Sequence, residues 1–410
     1  MGITTDNTPP ARLLDITRLI RRAGRRPTGV DRVELAYLTR LPDHGADFFA
    51  LARTPLGYVL LDAAGAAAIA QRIHGTIPWG GADRLSRLGR GRDETVRRAE
   101  SDLRRHALAR CLPNRLVAML SRHLPPGTSY FNTGHSNLTD RVIHAVRHGA
   151  RGSIAVLIHD TIPLDFPQFA RNEAPGRMRA MLRRVARHAD LVICNSQATR
   201  DAIEEHLPES PRTRRIVTAH LGVPVPVPDP CLLPHDLPED PFFVALGTIE
   251  PRKGHDLLLD VWDRLTAAPP PGGVPGLMIC GTRGWMNDTV FRRLDRLVPG
   301  GPVRELPDLP DGATAALLQK SRGLLFPSRA EGFGLPPVEA AALGVPVICS
   351  DLGACREILG DIPVYLPPRS CNQWETTIRQ ATGADVPPRP DPPFRPPTWA
   401  GHFDAVLRFA

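Results

Sequence analysis

Short apolar runs alternate with helical patterns along most of the chain, and this alternation constrains the fold more than any other feature. In the first half the runs are Phe48–Ala52, Tyr58–Leu61, Ile154–Ile158, Leu191–Cys194 and Ile216–Thr218. Arg-rich helical patterns separate them, as at Met178–His188 and Ser196–His206. A second block repeats the arrangement at Phe242–Leu246, Leu277–Cys280, Gly323–Phe326 and Val345–Cys349, with helical patterns at His255–Leu265 and Ala313–Lys320. Apolar strands alternating with helices build βαβ units and parallel sheets. Between the blocks lies GVPVPVPDPCLLPHDLPEDP, Gly222 to Pro241, with seven prolines. Proline lacks an N–H and fixes φ, so this stretch forbids a helix, disfavours a central strand and reads as a semi-stiff linker. The expected architecture is α/β, with two Rossmann-like domains facing a cleft. The expected boundaries are a first domain at 1–221, a linker at 222–241, a second domain at 242–386 and a Pro-rich tail with a C-terminal helix at 387–410. That helix, with Trp399, Phe403, Val406 and Leu407 at helical spacing, could cross back onto the first domain.

Composition removes several function classes. The chain has 410 residues, 42% of them hydrophobic, which suffices for real cores. No apolar run reaches the roughly 18–20 residues of a membrane helix. Met1–Pro10 lacks the basic and apolar regions of a secretory signal. The seven cysteines are scattered without CxxC or zinc spacing, so they read as reduced, mostly buried thiols in a cytoplasmic protein. Four of them, Cys194, Cys231, Cys280 and Cys349, sit in or beside apolar stretches. The formal charge is +8 and the pI near 9.5, yet Lys253 and Lys320 are the only lysines among 51 basic residues. Such a preference for Arg reads as coding bias. With 5% aromatic residues there is little for nucleic-acid bases to stack on, so a nucleic-acid-binding protein is not the expected reading. Two segments, Arg84–Arg110 and Arg171–Arg187, each carry a net +5. They are either solvated helical faces or surfaces that attract an anionic partner, such as a lipid surface or a phosphate-bearing acceptor.

Two motifs in the second block carry chemistry. The first is FPSRAEGFGLPPVEAAALGVPVICSD, Phe326 to Asp351. A strand ends at Phe326, and a turn follows with Glu331, Gly332 and Gly334. Pro336 and Pro337 then suit the first turn of a helix that contains Glu339. Glycines before a helix start let a ligand approach the backbone, and the helix N-terminus favours an anion. The second motif is LGTIEPRKG, Leu246 to Gly254, directly after another strand. Arg252 and Lys253 stand together at a helix start, where cations are unfavourable unless an anion joins them. A diphosphate would resolve that conflict, taking a planar fork from Arg and a point charge from Lys.

EGFGLPPVEA between FPS and GVPVICSD, together with GTIEPRKGHDLLL, resembles the retaining glycosyltransferases of family 4, with fold type GT-B. The resemblance covers most of Phe242–Pro367. It extends more loosely to VLIHDTIPLDFP, CNSQATRDAI and RRPTGVDRVELAYLTRL in the first half. It implies transfer of a sugar from a nucleoside diphosphate donor, with retention, to a glycan or lipid-linked acceptor in bacterial polysaccharide assembly. Arg252 and Lys253 would stabilise the departing diphosphate. Glu331 would contact the donor sugar hydroxyls and Glu339 the nucleotide ribose, since a carboxylate accepts two hydroxyl hydrogen bonds. Gly247, Thr248, Gly332, Phe333, Gly334 and Leu335 would line the donor site. Thr248 departs from the family, many of whose members carry Arg there, which shifts load onto Arg252. His159 and Asp160 would reach the reacting centre from the first domain. Gly29, Asp31 and Arg32 would lie on the acceptor side. No metal or other cofactor is implied. TIEPRK and Gly284-Trp285 resemble polysaccharide mannosyltransferases, so GDP-mannose is the first donor expectation and a UDP-sugar the second. The alternative on the same fold is a nucleotide-sugar epimerase or a phosphorylase. The expected location is cytoplasmic, with the anionic inner membrane face as the candidate peripheral contact.

Overall fold

The computed structural model describes residues 8–87, 91–209, 213–238, 241–383 and 394–410. Its strands fall into two sheets. The first holds β1 (Ala11–Asp15), β2 (Asp47–Thr54), β3 (Gly57–Leu61), β4 (Ala109–Cys111), β5 (Ser129–Asn132), β6 (Ser153–Ile158), β7 (Leu191–Cys194) and β8 (Arg215–Thr218). Their order is 4-3-2-1-5-6-7-8. The second holds β9 (Phe242–Leu246), β10 (Gly276–Cys280), β11 (Val303–Leu306), β12 (Gly323–Phe326), β13 (Val347–Ser350) and β14 (Val364–Leu366), in the order 11-10-9-12-13-14. Among the described residues the second sheet is wholly parallel. The first is not. β3 runs antiparallel to both β2 and β4 at one edge, which corrects the expectation of parallel pairing throughout. The sequence allows it because only Pro55 and Leu56 join β2 to β3, a hairpin connection too short for a crossover.

Both sheets are packed on both faces, which is why their strands are apolar without alternation. Val156, Leu157, Val192 and Ile193 are fully buried in the first sheet, as are Phe243, Val244, Leu324 and Leu325 in the second. β1 escapes an apolar-run search because ARLLD begins and ends among polar groups, yet all five residues are buried. Arg12 donates to the His44 carbonyl (2.8 Å). The Asp15 carboxylate accepts from the Thr17 N–H (3.0 Å), Asn137 (2.7 Å) and the Tyr130 hydroxyl (3.1 Å). Buried polar groups are tolerated when their bonds are made.

The C-terminal helix, Trp399–Leu407, crosses back to the first domain. Thr398 caps it, accepting from the Gly401 N–H (3.2 Å). Phe403 meets Tyr37 of helix Gly29–Arg40 with ring centroids 5.0 Å apart. His402 Nδ1 faces the Ala219 and His220 carbonyls at 3.2 and 3.1 Å. Carbonyls only accept, so Nδ1 carries the proton and Nε2 accepts from the Tyr37 hydroxyl (2.7 Å). Burial pushes this imidazole down to about 4, which keeps it neutral. Burying Trp399, Phe403 and Val406 contributes roughly 1.5–3 kcal/mol for each large side chain. Among the described residues no helix is long and apolar enough to cross a membrane. Cys231 is exposed on the linker, not buried as expected, because the apolar neighbours Leu232 and Val227 are themselves exposed there.

Candidate active site

In the second sheet the strand order reverses between β9 and β12, which are neighbours. Loops leaving the carboxyl ends of two such strands diverge and open a crevice. These two loops are LGTIEPRKG and the segment Pro327–Gly334. Gly247 turns the chain off β9 at φ 141°, and its N–H donates to the Cys280 carbonyl (2.9 Å). Pro251–Lys253 form a single 3-10 turn, and Gly254 at φ 70° opens helix His255–Ala267. A side chain at 254 would strike the Pro327 carbonyl, so glycine lets the two loops touch. Arg329 braces them further, donating to the Pro251 carbonyl (2.7 Å) and to Asp256 (2.6 Å).

The bracing brings three predicted residues into one cluster. Lys253 Nζ lies 2.6 Å and an Arg252 terminal nitrogen 2.8 Å from the same Glu331 oxygen. Arg252 also donates to the Ala330 carbonyl (3.1 Å), and its Nε lies 2.6 Å from Glu250. Lys253 packs over the Phe326 ring at 4.8 Å. Burial alone would raise the Glu331 carboxyl, but Arg252 and Lys253 outweigh it and hold it at about 2. Burial lowers Lys253 against the pull of Glu331. Arg252 loses to burial but gains more from Glu331, Glu250 and Asp160, and stays firmly charged.

The first domain reaches this cluster from the end of β6. A side chain at 332 would overlap the His159 carbonyl oxygen, so Gly332 lets the two domains meet there. The Gly332 carbonyl accepts from the hydroxyls of Ser196 (2.7 Å) and Thr199 (3.1 Å). His159 is buried, and its Nε2 faces the Thr133 carbonyl at 2.7 Å. That bond fixes the proton on Nε2 and leaves Nδ1 as an acceptor. Burial, with His135 nearby, pushes His159 down to about 3, so it is neutral. Asp160 is raised by burial, with Arg252 opposing that rise and Glu331 adding to it. Gly332→Ala should wedge the domains apart and slow sugar transfer on the order of 100-fold, since ångström-scale misplacement costs that much. Steady-state rates check this, and an unchanged rate would refute it.

Glu339 stands on helix Leu335–Ala342, which begins after Gly334 at φ 89° with prolines in its first turn. Its carboxylate is raised by burial against the pull of Arg32, which lies 2.6 Å away across the domains. Arg32 is thus brought to the donor-side carboxylate, although the resemblance puts it on the acceptor side. Asp31 does not offer a free carboxylate to the cleft. It accepts from the Thr28 N–H (2.7 Å), Arg18 (2.7 Å) and Arg22 (2.7 Å), which fixes the start of helix Gly29–Arg40. Gly29 faces Leu335, so these two residues mark another contact between the domains. Phe333 is buried beside His220, with ring centroids 6.3 Å apart. Thr248 packs toward Gly284. Glu250, Arg329 and Glu357 are not singled out by the sequence, and Ser196 and Thr199 enter there only through CNSQATRDAI. Glu357 accepts from the Gln197 N–H (2.7 Å) and lies 2.6 Å from His220, so it too joins the domains. Glu250 was visible as an acid two residues before the basic pair; Glu357 carried no local signal.

Residues 235–381 match the family described as glycosyl transferases group 1. Residues 130–225 match glycosyltransferase family 4. The chain carries a glycosyl transferases group 1 domain and a glycosyltransferase family 4 domain. The serotype-specific mannosyltransferase WbdA of Escherichia coli is 31% identical over 226 residues, which is 51% of this chain and 27% of that protein. The O-antigen chain mannosyltransferase B of Escherichia coli is 32% identical over 159 residues, covering 38% of this chain and 40% of that one. The chain therefore spans well under half the length of these relatives. Among solved structures, Anabaena Alr3699/HepE in complex with UDP-glucose superposes with a TM-score of 0.59 at 16% identity, covering 91% of this chain and 90% of that one. The architecture is GT-B.

Proposed function

We propose that this chain transfers a hexose, mannose as the first expectation, from a nucleoside diphosphate to a glycan or lipid-linked acceptor with retention at the anomeric carbon. One observation carries the reading: two cations and a carboxylate converge where the second sheet reverses its strand order. As the bond from sugar to diphosphate breaks, the electron pair leaves with the phosphate oxygen. Fixed positive charge from Arg252 and Lys253 stabilises it there. Drawing a cation toward the phosphate frees a Glu331 oxygen to accept a sugar hydroxyl. His159, neutral with Nδ1 unprotonated, accepts another hydroxyl from the first-domain side. Glu339 accepts the ribose diol. No side chain is assigned as a covalent nucleophile, and the donor-site chemistry calls for no resident cofactor.

The relatives named as mannosyltransferases support mannose as the transferred sugar, with GDP-mannose as the first expected donor. A UDP-sugar is the second expectation. The test is product analysis with GDP-mannose and UDP-glucose, each with and without a lipid-linked saccharide. Acceptor-dependent product whose new linkage keeps the donor's anomeric configuration supports the reading. Sugar conversion without acceptor, or phosphorolysis of a glycan, would replace it with an epimerase or a phosphorylase.

We place the enzyme in the cytoplasm, in peripheral contact with anionic lipid. Arg177, Arg179, Arg183 and Arg187 lie exposed along helix Ala174–His188 and support that contact. The protein should float with anionic vesicles and not with neutral ones, and equal, negligible flotation would remove the membrane contact.

A further inference from the structure

Glu250 has no role in the chemistry above, yet it is the most buried acid of the cluster, only 2% exposed. Its backbone is fixed. The Ile249 N–H donates to the Thr282 carbonyl (2.9 Å), and the Gly284 N–H donates back to the Ile249 carbonyl (3.0 Å). One carboxylate oxygen holds Arg252 Nε at 2.6 Å. The other is buried and has no hydrogen-bond partner among the described residues. Such an orphan oxygen is costly unless something satisfies it, and a proton on it removes the charge that makes it costly.

The surroundings of Glu250 supply the reason for a proton to arrive. From its own loop it faces Arg252 and Lys253, from the loop after β12 it faces Glu331, and from the first domain it faces Asp160. With every group ionised, the three carboxylates exceed the two cations. The cations of the adjoining segments are paired with other carboxylates: Arg329 with Asp256 at 2.6 Å and Arg283 with Glu305 at 2.7 Å. A diphosphate entering this cluster adds negative charge to a site that already has an excess of it. Like charges at close range in a buried site favour neutralising one of them.

We propose that Glu250 is a positioning residue that takes up one proton from solvent when the donor diphosphate binds, making donor affinity proton-linked through this carboxylate. This rests on the donor-binding reading above. Protonation lands on the unpartnered oxygen, so the other keeps its hold on Arg252 Nε. The guanidinium stays aimed while the cluster loses one negative charge. Burial, together with Glu331 and Asp160, already raises Glu250 against the pull of Arg252 and Lys253. The bound diphosphate raises it further. Affinity is therefore constant where Glu250 is neutral in both states. It falls with rising pH where the acid must be protonated on binding, by up to about tenfold per pH unit for one linked proton.

The test is calorimetric titration of the full chain with GDP-mannose and, separately, UDP-glucose, without acceptor. A nucleoside diphosphate sugar has no phosphate that titrates near neutrality, so the ligand adds no slope of its own. Titrations between about pH 5 and about pH 8, in buffers of different ionisation enthalpy, read both affinity and proton uptake. The wild type should take up close to one proton and lose affinity as pH rises. Glu250→Gln, with an unchanged melting temperature, should bind with no such slope and no uptake. Binding that is flat in the wild type, or a slope that survives in Glu250→Gln, would overturn the role of Glu250 alone. If neither donor binds the wild type at any pH, the proton linkage and the donor reading fall together.

Discussion

Glu331→Ala should lower kcat/KM for sugar transfer by roughly 10³-fold, the scale of losing one electrostatic contact aimed at a transition state. Its largely enclosed carboxylate is shared by Lys253 at 2.6 Å and Arg252 at 2.8 Å. Removing it takes away the proposed acceptor for the donor hydroxyls and the anion that sets both cations in place. The chain should remain folded, because Glu250 and Asp160 still face the cations and the apolar cores lie elsewhere. Glu331→Gln keeps the volume and separates charge from packing; it should also be severely impaired. Circular dichroism melting establishes folding, and initial rates establish the loss. Near-native activity in either variant would remove Glu331 from the site.

Lys253→Ala should weaken nucleoside diphosphate binding by about 100-fold, within the range for truncating one partner of a buried charge pair. Lys253 is the more enclosed of the two cations, with a side chain 10% exposed against 23% for Arg252. It lies over Phe326 and beneath Gly247, where a β-carbon would come within 3.5 Å of Cε. That close packing suits a compact ammonium, so Lys253→Arg should rescue poorly. Loss of Lys253 also leaves Arg252 alone against three carboxylates, which disfavours a further anion. Calorimetric titration gives the comparison, and equal affinities would contradict the account.

The donor half of the cleft was largely legible from sequence because its signals are local. Each cation, acid and glycine lies in the loop or helix that follows a strand end, and the apolar runs mark those ends. β9, β10, β12 and β13 were readable for the same reason. β1 and β5 were not: Arg12 and Asp15 break the apolar pattern while bonding to His44 and Asn137 far along the chain, and buried Asn132 breaks it while bonding to Tyr130 and Ser136. The first-domain contribution was legible at His159 and Asp160 but not in its bonding. The Ser196 hydroxyl finds the Gly332 carbonyl 136 positions away, and nothing local announces that. Asp31 shows the converse: an acid near a glycine loop, which resembled an acceptor contact, is consumed by Thr28, Arg18 and Arg22. The two lysines make the same distinction. Lys320 is exposed at the edge of a cavity of about 410 Å³ beside the linker, whereas Lys253 is largely enclosed against Glu331.

The central claim is that a nucleoside diphosphate binds where the loops after β9 and β12 converge. A thermal-shift panel of GDP, UDP, ADP and TDP, run in parallel on the wild type and on Lys253→Ala, tests it most directly. A ligand that binds only the native state stabilises it by about 2.7 kcal/mol at 100 times its Kd. The account predicts that at least one of the four raises the wild-type melting temperature and that the rise is lost in Lys253→Ala. No shift with any of the four, or a shift preserved intact in the variant, would contradict it.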